Sequence, residues 1–318
     1  MRTGLMGRSI RSGTAGIGRY SANLAIHLGE QLPPKELCVF LPRDAPRRWS
    51  SRVREVRAPF PTPSVYLRAL WEQTVVPAQA AGLGLDVYHS PTHVLPLGLR
   101  CPSVVTIHDL FYLDSALHRR RNQAYLSVMT KLAVRRATLI VAASGATRRA
   151  LEARYPEAVG RVEVVYPGVD YGLRRPDEAE LERFRARVGL DGPYVLSVGT
   201  LEPRKNLPRL IEAFGRMVEE GQLEHQLVLV GALGWKTEAL EQALARTRHR
   251  ERIRCVGHVS DEELACWYAG ADVFAYPSLK EGFGVPPVEA MTLGTPVVTS
   301  NTTSLPEVVG EAALQVDP

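Results

Sequence analysis

The sequence predicts an α/β fold in which two doubly wound, parallel-sheet domains follow one another. Three observations point there. Short apolar or β-branched runs alternate with helix-length segments, and the alternation is played through twice. The runs are short and buried in character, as strands covered by helices on both faces are. The length, 318 residues, suits two domains better than one.

In the first half, DVYHS (86–90) and SVVTIHDL (103–110) are strand candidates, and TLIVAAS (138–144) is a further one. Helices fit residues 19–31 and 123–136, and VEVVYPGVD (162–170) closes the first sheet. The second half offers YVLSVGT, QLVLVG, RIRCVG, DVFAYPS and PVVTS as strands. Helices fit between them at 206–220, 236–248, 261–269 and 287–293. These divisions make residues 1–172 a first domain, the charged stretch 173–192 a linker, and residues 193–318 a second domain. Doubly wound sheets seat ligands at the carboxyl ends of their strands, so a cleft between the domains is the expected active site.

Composition narrows the class. Hydrophobic residues make up 45% and charged residues 23%, an ordinary globular balance. No apolar run reaches bilayer length and the start, MRTGLMGRSIRSG, has no apolar signal core, which points to the cytoplasm. Cys38, Cys101, Cys255 and Cys266 show neither C-x-x-C nor metal-ligand spacing and read as reduced thiols. Charge is unevenly spread. Residues 1–170 carry 23 Lys/Arg against 12 Asp/Glu, net +11, whereas residues 171–318 carry 16 against 22, net −6. The basic clusters, Arg43, Arg47, Arg48, Arg52, Arg54, Arg57 and Arg119–Arg121, are either a solvated face or a surface drawn to anionic lipid or a phosphorylated acceptor. Nucleic acid is not the expected partner, because the arginines are not interleaved with aromatics and no reader motif occurs.

The most informative stretch is EGFGVPPVEAM, residues 281–291. Gly282 and Gly284 let the backbone turn its N–H groups toward a ligand, and Phe283 lies between them. Pro286 and Pro287 suit the first turn of a helix, whose positive end attracts a phosphate. Glu281 and Glu289 flank this corner, so it reads as a site for an anion and for hydroxyls; the alternative is a strand–turn–helix with surface acids.

GTLEPRKN (199–206) places Arg204 and Lys205 in a strand-to-helix loop, as a forked donor and a point charge for a diphosphate, or merely as exposed cations. GTAGIGRY (13–20) is a glycine-rich helix opening with neither dinucleotide nor phosphate-loop spacing; it serves close backbone approach or a plain tight turn. His108 and Asp109 end a strand, where a histidine can exchange hydrogen bonds with a hydroxyl. His89 is placed similarly and reads better as structural. In CVGHVSDEEL, Ser260 and Glu263 have capping-box spacing, and the turn at His258 and Val259 could present its backbone to a flat base. D-x-D, G-x-S-x-G and Cys/His acyl-transfer signatures are missing.

GTLEPRKN, DVFAYPSLKEGFGVPPVEAMTLGTPVV, GIGRY and TIHDL together resemble glycosyltransferase family 4 almost end to end. That family comprises retaining nucleotide-sugar transferases of GT-B architecture, two facing Rossmann-like domains. The subgroup it looks like contains bacterial mannosyltransferases of surface-polysaccharide assembly. The resemblance implies transfer of a hexose, mannose from GDP-mannose, to a saccharide or lipid-linked acceptor, without a metal or other cofactor. It implies that Arg204 and Lys205 neutralise the donor diphosphate and that Glu289 accepts from the ribose hydroxyls. Glu281 and the backbone of Gly282, Phe283 and Gly284 would lie against the sugar, and His108 near the reacting carbon. Gly16 would sit near the diphosphate or acceptor, and the backbone of His258 and Val259 near the base. Retention implies same-face attack with no covalent nucleophile, so the two-carboxylate scheme of retaining hydrolases does not transfer. Relatives continue beyond a position like LQVDP with closing helices, so the resemblance implies that these are absent here. A UDP-sugar donor, a sugar-nucleotide epimerase or phosphorylase, and a nucleotide-sugar-binding scaffold without turnover are the competing readings. A dehydrogenase is disfavoured by the glycine spacing.

Overall fold

Apolar runs in this chain become strands because the connecting helices cover both of their faces. A computed structural model describes residues 1–10, 16–45, 51–113, 120–169 and 173–318, the side chains of 120–122 excepted. Residues 13–15 of the glycine-rich opening, and Arg47, Arg48 and Arg119 of the basic clusters, lie outside the described residues. The chain divides into two units, Met1–Pro167 and Gly168–Pro318.

The first unit contains strands β1 (Thr3–Met6), β2 (Leu37–Leu41), β3 (Arg54–Arg57), β4 (Val87–Ser90), β5 (Ser103–Ile107), β6 (Leu139–Ala142) and β7 (Val162–Val164). They pair in parallel in the order β3-β2-β1-β4-β5-β6-β7. Its helices are α1 (Ile17–Gln31), α2 (Val65–Leu70), α3 (Val76–Leu83), α4 (Arg120–Arg136) and α5 (Gly145–Arg154). β2, LCVFL, shows the layering. Cys38 and Phe40 join one core with Tyr88 and Trp71, while Leu37, Val39 and Leu41 join another with Ala25 of α1. Each large apolar side chain buried this way stabilises by roughly 1.5–3 kcal/mol. Between α2 and α3 the helix widens into a π turn, Trp71–Val75. Pro77 just beyond it lacks an N–H, and the loosened ladder turns Trp71 and Glu72 inward.

The second unit runs α6 (Glu178–Val188), β8 (Tyr194–Val198), α7 (Leu207–Glu219), β9 (Gln226–Val230), α8 (Glu238–Arg246), β10 (Ile253–Gly257), α9 (Asp261–Ala269), β11 (Val273–Tyr276), α10 (Val285–Thr292), β12 (Val297–Ser300), α11 (Leu305–Val309) and β13 (Leu314–Val316). Its sheet is parallel, in the order β10-β9-β8-β11-β12-β13. In β9, Leu227 and Leu229 face Leu207, Ile211 and Phe214 of α7, and Val228 and Val230 join the opposite core.

The charged stretch expected to be a linker contains a folded helix. Asp177 and Glu180 form a reciprocal capping box at the start of α6, and Gly189 ends it in the left-handed conformation. Leu181 and Phe184 are buried, with the Phe184 ring edge-on to Trp267 at 4.9 Å. The capping box expected at Ser260 is only half formed. Ser260 Oγ accepts from the Glu263 N–H at 3.2 Å, but the Glu263 carboxylate pairs with Arg187.

Gly231 is where the loops after β8 and β9 meet. Its φ is +146°, and a Cβ there would stand 2.0 Å from the Gly199 carbonyl oxygen. Gly231→Ala is expected to destabilise the second unit by about 3 kcal/mol or more, through strain and overpacking combined. Gly82→Ala, on a helix with open space around the added methyl, is expected to be neutral or to stabilise by up to about 1 kcal/mol. Urea unfolding of both variants followed by tryptophan fluorescence checks the contrast.

Candidate active site

In the second unit the strand order reverses between β8 and β11, which pair directly while leading to β9 on one side and β12 on the other. Loops leaving such neighbours diverge and open a crevice at their carboxyl ends. Residues 199–206 leave β8, and residues 277–284 leave β11.

The first loop is pinned by Gly199 N–H to the Val230 carbonyl and Leu201 N–H to the Ala232 carbonyl, both 2.9 Å. Pro203–Lys205 then forms one tight turn, ended by Asn206 in the left-handed region at φ 55°. Asparagine tolerates that conformation better than most side chains. The Leu279 N–H donates to the Arg204 carbonyl at 2.9 Å and ties the loops together. In the second loop the Glu281 N–H donates to Thr303 Oγ1 at 2.9 Å. Ser304 Oγ reaches the carbonyls of Glu281 and Phe283, 2.8 Å each. Thr303 itself has φ 56°, an uncommon conformation for a β-branched residue. Gly284 caps α10 at φ 101°, and a Cβ there would lie 2.7 Å from Leu305 Cδ2.

These constraints bring Arg204, Lys205 and Glu281 together and add Glu202. Glu281 Oε1 accepts from Lys205 Nζ at 2.7 Å, and Oε2 accepts from Arg204 Nη1. Arg204 also bonds Glu202 Oε1 through Nε at 2.9 Å and Nη2 at 2.6 Å, and gives Nη1 to the Lys280 carbonyl at 2.9 Å. Lys205 Nζ bonds the Tyr276 hydroxyl and stands 4.5 Å from its ring centroid. Glu202, Lys205 and Glu281 are buried. Burial alone would raise the Glu281 carboxyl, but Lys205 and Arg204 outweigh it and hold it at about 2. Burial opposes the Arg204 charge too, and Glu281 chief among its partners keeps that guanidinium firmly protonated. For Lys205 burial prevails and lowers the ammonium, with Glu281 opposing. Two cations face two carboxylates, so the cluster is close to neutral.

Glu289 is buried one turn into α10, and its Oε2 accepts from the Tyr268 hydroxyl at 2.9 Å. The positive end of α10 presents fewer donors than a helix start usually does, since Pro286 and Pro287 leave only Val285 with an N–H among its first three residues. Gly282 is buried and Phe283 half-buried. His258 is exposed and Val259 half-buried in the turn after β10.

The first unit reverses its strand order between β1 and β4. Gly16, at φ 60°, opens α1, and Tyr20 one turn later meets the His108 ring edge-on at 4.8 Å. His108 Nε2 lies 3.0 Å from the Pro91 carbonyl. A carbonyl only accepts, so Nε2 carries the proton. Burial pushes the imidazole below its usual range, despite that carbonyl and Asp109. The neutral ring therefore keeps Nδ1 as an acceptor. His89, held by Thr106 Oγ1 at 2.8 Å, is driven down to about 4 by burial and by His108. It is an uncharged, satisfied histidine.

Comparison with known proteins bears on both units. The profile described as Glycosyltransferase Family 4 matches residues 14–173, and the one described as Glycosyl transferases group 1 matches residues 178–317. The chain belongs to glycosyltransferase family 4. Among curated members, the O-antigen chain mannosyltransferase B of Escherichia coli is 36% identical over 235 residues, covering 73% of this chain and 61% of that protein. The O-antigen chain mannosyltransferase RfbU of Salmonella typhimurium is 27% identical over 232 residues, 71% and 59% of the two chains. The chain thus spans about three fifths of the length of these relatives. Sucrose-phosphate synthase from Thermosynechococcus elongatus superposes with a TM-score of 0.79 at 21% identity, over 99% of this chain and 86% of that one. The fold is GT-B.

For this family 4 chain, sequence reasoning picked out Arg204, Lys205 and Glu281 but missed the residues that hold them. Glu202 lay inside the quoted motif GTLEPRKN, and its two-residue spacing from Arg204 was the available signal. Tyr276 ends the strand before the acidic corner, but Thr303 lies 22 residues past Glu281 and carries no local mark.

The Glu281 carboxyl sets a pH dependence. Its folded value, about 2, lies below the ordinary 4.5, so its stabilising contribution is complete above the ordinary value and disappears as pH falls through about 2. Urea-unfolding free energies are expected to fall by about 3 kcal/mol more between about pH 5 and pH 2 in the parent than in Glu281→Gln. At neutral pH that variant, with two cations left short of a partner, is expected to lose about 3–5 kcal/mol.

Proposed function

We propose that the chain is a retaining mannosyltransferase that moves mannose from GDP-mannose to a saccharide or lipid-linked acceptor in cell-surface polysaccharide synthesis. The observation that carries this reading is the buried Glu202–Arg204–Glu281–Lys205 network at the carboxyl ends of β8 and β11. Family membership and the names of the mannosyltransferase relatives support the reaction class.

The second unit takes the donor. Breaking the bond from the anomeric carbon to the diphosphate leaves negative charge on the leaving group and positive character on the carbon. Arg204 and Lys205, fixed before substrate arrives, face that negative charge without reorganising, and this preorganisation lowers the barrier. They take the place a metal ion would otherwise fill. Glu289 accepts from the ribose hydroxyls, and the turn at His258 and Val259 borders the base. Glu281 and the backbone of Gly282, Phe283 and Gly284 hold the sugar. Gly16 lies by the diphosphate or acceptor, and His108 Nδ1 accepts from a sugar hydroxyl. The acceptor oxygen attacks on the face the diphosphate leaves. The departing phosphate takes its proton, so no side chain forms a covalent intermediate. Among the described residues no helix is long and apolar enough to cross a membrane. Work at the anionic inner face of a membrane, with the basic first half toward it, completes the proposal.

A thermal-shift panel tests the donor assignment. GDP-mannose should raise the melting temperature more than UDP-glucose, and Arg204→Ala and Lys205→Ala should abolish the rise while still melting cooperatively. An unchanged rise in both variants would remove the diphosphate assignment. In a transfer assay Arg204→Ala is expected to lose about 10²–10³-fold in kcat. Activity should survive EDTA; strict dependence on magnesium or manganese would contradict charge neutralisation by Arg204 and Lys205.

A further inference from the structure

A groove between α7 and α8 of the second unit serves none of these roles. It encloses about 650 Å³, room enough for a small molecule. One end is formed by Arg246, Thr247 and Arg248, where the chain leads from α8 into β10. Residues entering a strand of this parallel sheet lie at its amino end, whereas Arg204 and Lys205 follow β8 at the carboxyl end. That end of the groove is therefore distinct from the donor crevice.

Packing does not dictate the shape of the groove. Gly215 lines it from the middle of α7, where glycine weakens a helix relative to alanine. No neighbour demands the glycine: an added Cβ would meet nothing nearer than Thr247 Oγ1, at the ordinary contact distance of 3.7 Å. Ala239 and Ala243 line the groove from α8. These small residues leave space that the fold itself does not need.

The charges describe an occupant. Arg209, Arg216, Arg246 and Arg248 line the groove against Glu212 and Glu219, although residues 171–318 as a whole carry 16 Lys/Arg against 22 Asp/Glu. Arg216 bonds Glu212 at 2.6 Å, Arg209 stands 3.8 Å from the same carboxylate, and Glu219 stands 3.8 Å from His249. Among the described residues, no hydrogen bond or ion pair engages the side chains of Arg246, Arg248 or Gln242. Two unengaged guanidiniums supply forked donors, which suit the oxygens of a phosphoryl group. Gln242 lies one helical turn before Arg246 on the same face of α8. Its carboxamide both donates and accepts, as recognition of hydroxyls requires. A phosphoryl group joined to hydroxyls is the chemistry of a phosphorylated carbohydrate.

We propose that this groove binds a phosphorylated carbohydrate, with its phosphoryl group at Arg246 and Arg248 and its hydroxyls toward Gln242. The site stands apart from the transferase reading, since no residue assigned to the donor takes part.

Calorimetry on the full chain with ribose 5-phosphate and fructose 1,6-bisphosphate tests the site. Ribose, inorganic phosphate and a hexaglutamate peptide serve as comparators. At least one phosphorylated sugar should bind with a Kd below about 1 mM, about 10-fold or more tighter than ribose or inorganic phosphate. Arg246→Gln and Arg248→Gln should each weaken that binding about 10-fold, with the melting shift from GDP-mannose unchanged. Gly215→Ala should raise the melting temperature by about 2–4 °C; a fall would assign the glycine to packing and overturn the role given to it here. Arg204→Ala should bind the phosphorylated sugar as the parent does. Loss of binding there, with Arg246→Gln and Arg248→Gln unaffected, would move the ligand to the donor crevice and overturn the proposal. Absence of binding by both phosphorylated sugars at about 10 mM would overturn it as well. Equal affinity for inorganic phosphate would overturn its carbohydrate half. Hexaglutamate binding as tight as either phosphorylated sugar would assign the groove to an acidic protein segment instead.

Discussion

One buried carboxylate shared between two cations is the constraint on which the second unit depends. Glu281 meets Lys205 on one oxygen and Arg204 on the other, and Glu202 holds the far side of the guanidinium. Taking four charges out of water costs several kcal/mol per ion before their attraction offsets it, so such a cluster is a poor means to stability. Apolar residues of similar volume would fold as well. The network is better explained by what it presents, two fixed cations at the carboxyl ends of adjacent strands, than by what it stabilises.

The backbone around the network carries the corresponding strain. Asn206 and Thr303 both adopt positive φ, and both adjoin the network: Asn206 directly follows Lys205, and Thr303 receives the Glu281 N–H. Gly231 lets the loop after β9 press against Gly199 at the root of the Arg204 loop. None of these positions touches the charges, yet each fixes where a charged side chain begins. Strained residues persist only where the surroundings over-determine them, and here those surroundings are the two loops of the crevice.

What the sequence made legible follows from how local each signal is. Strands such as QLVLV and VFAY announce themselves by apolar content, and α10 by its Gly-then-Pro start. LCVFL (β2) is equally apolar but is hemmed by PPKE and PRD, and REVR (β3) is a charged edge strand; neither stood out as part of a sheet. The stretch 173–192 looked like a connector because α6 shows mostly charge, and its two anchors, Leu181 and Phe184, are sparse. Arg204, Lys205 and Glu281 were visible because glycines and prolines frame them. Tyr276 and Thr303 were not, because their importance comes from contacts that only the folded sheet creates, while the two-residue spacing of Glu202 from Arg204 is a local signal. The π turn escaped for the same reason: its consequence is a buried Glu72 opposite Arg8, 64 residues away in sequence.

Under the proposed function, charge balance links these features to turnover. A crevice with two unopposed cations would bind a diphosphate tightly before and after reaction alike, and such uniform binding slows product release without speeding the chemical step. Pairing Arg204 and Lys205 with Glu202 and Glu281 lowers that ground-state attraction. On the proposed reading the cations still face the additional charge that appears as the sugar–phosphate bond breaks, since Glu202 and Glu281 already fix their positions. In the first unit burial likewise keeps His108 and His89 uncharged. On the proposed reading, selectivity for the transition state over the bound donor and its product comes from carboxylates that never touch the phosphate.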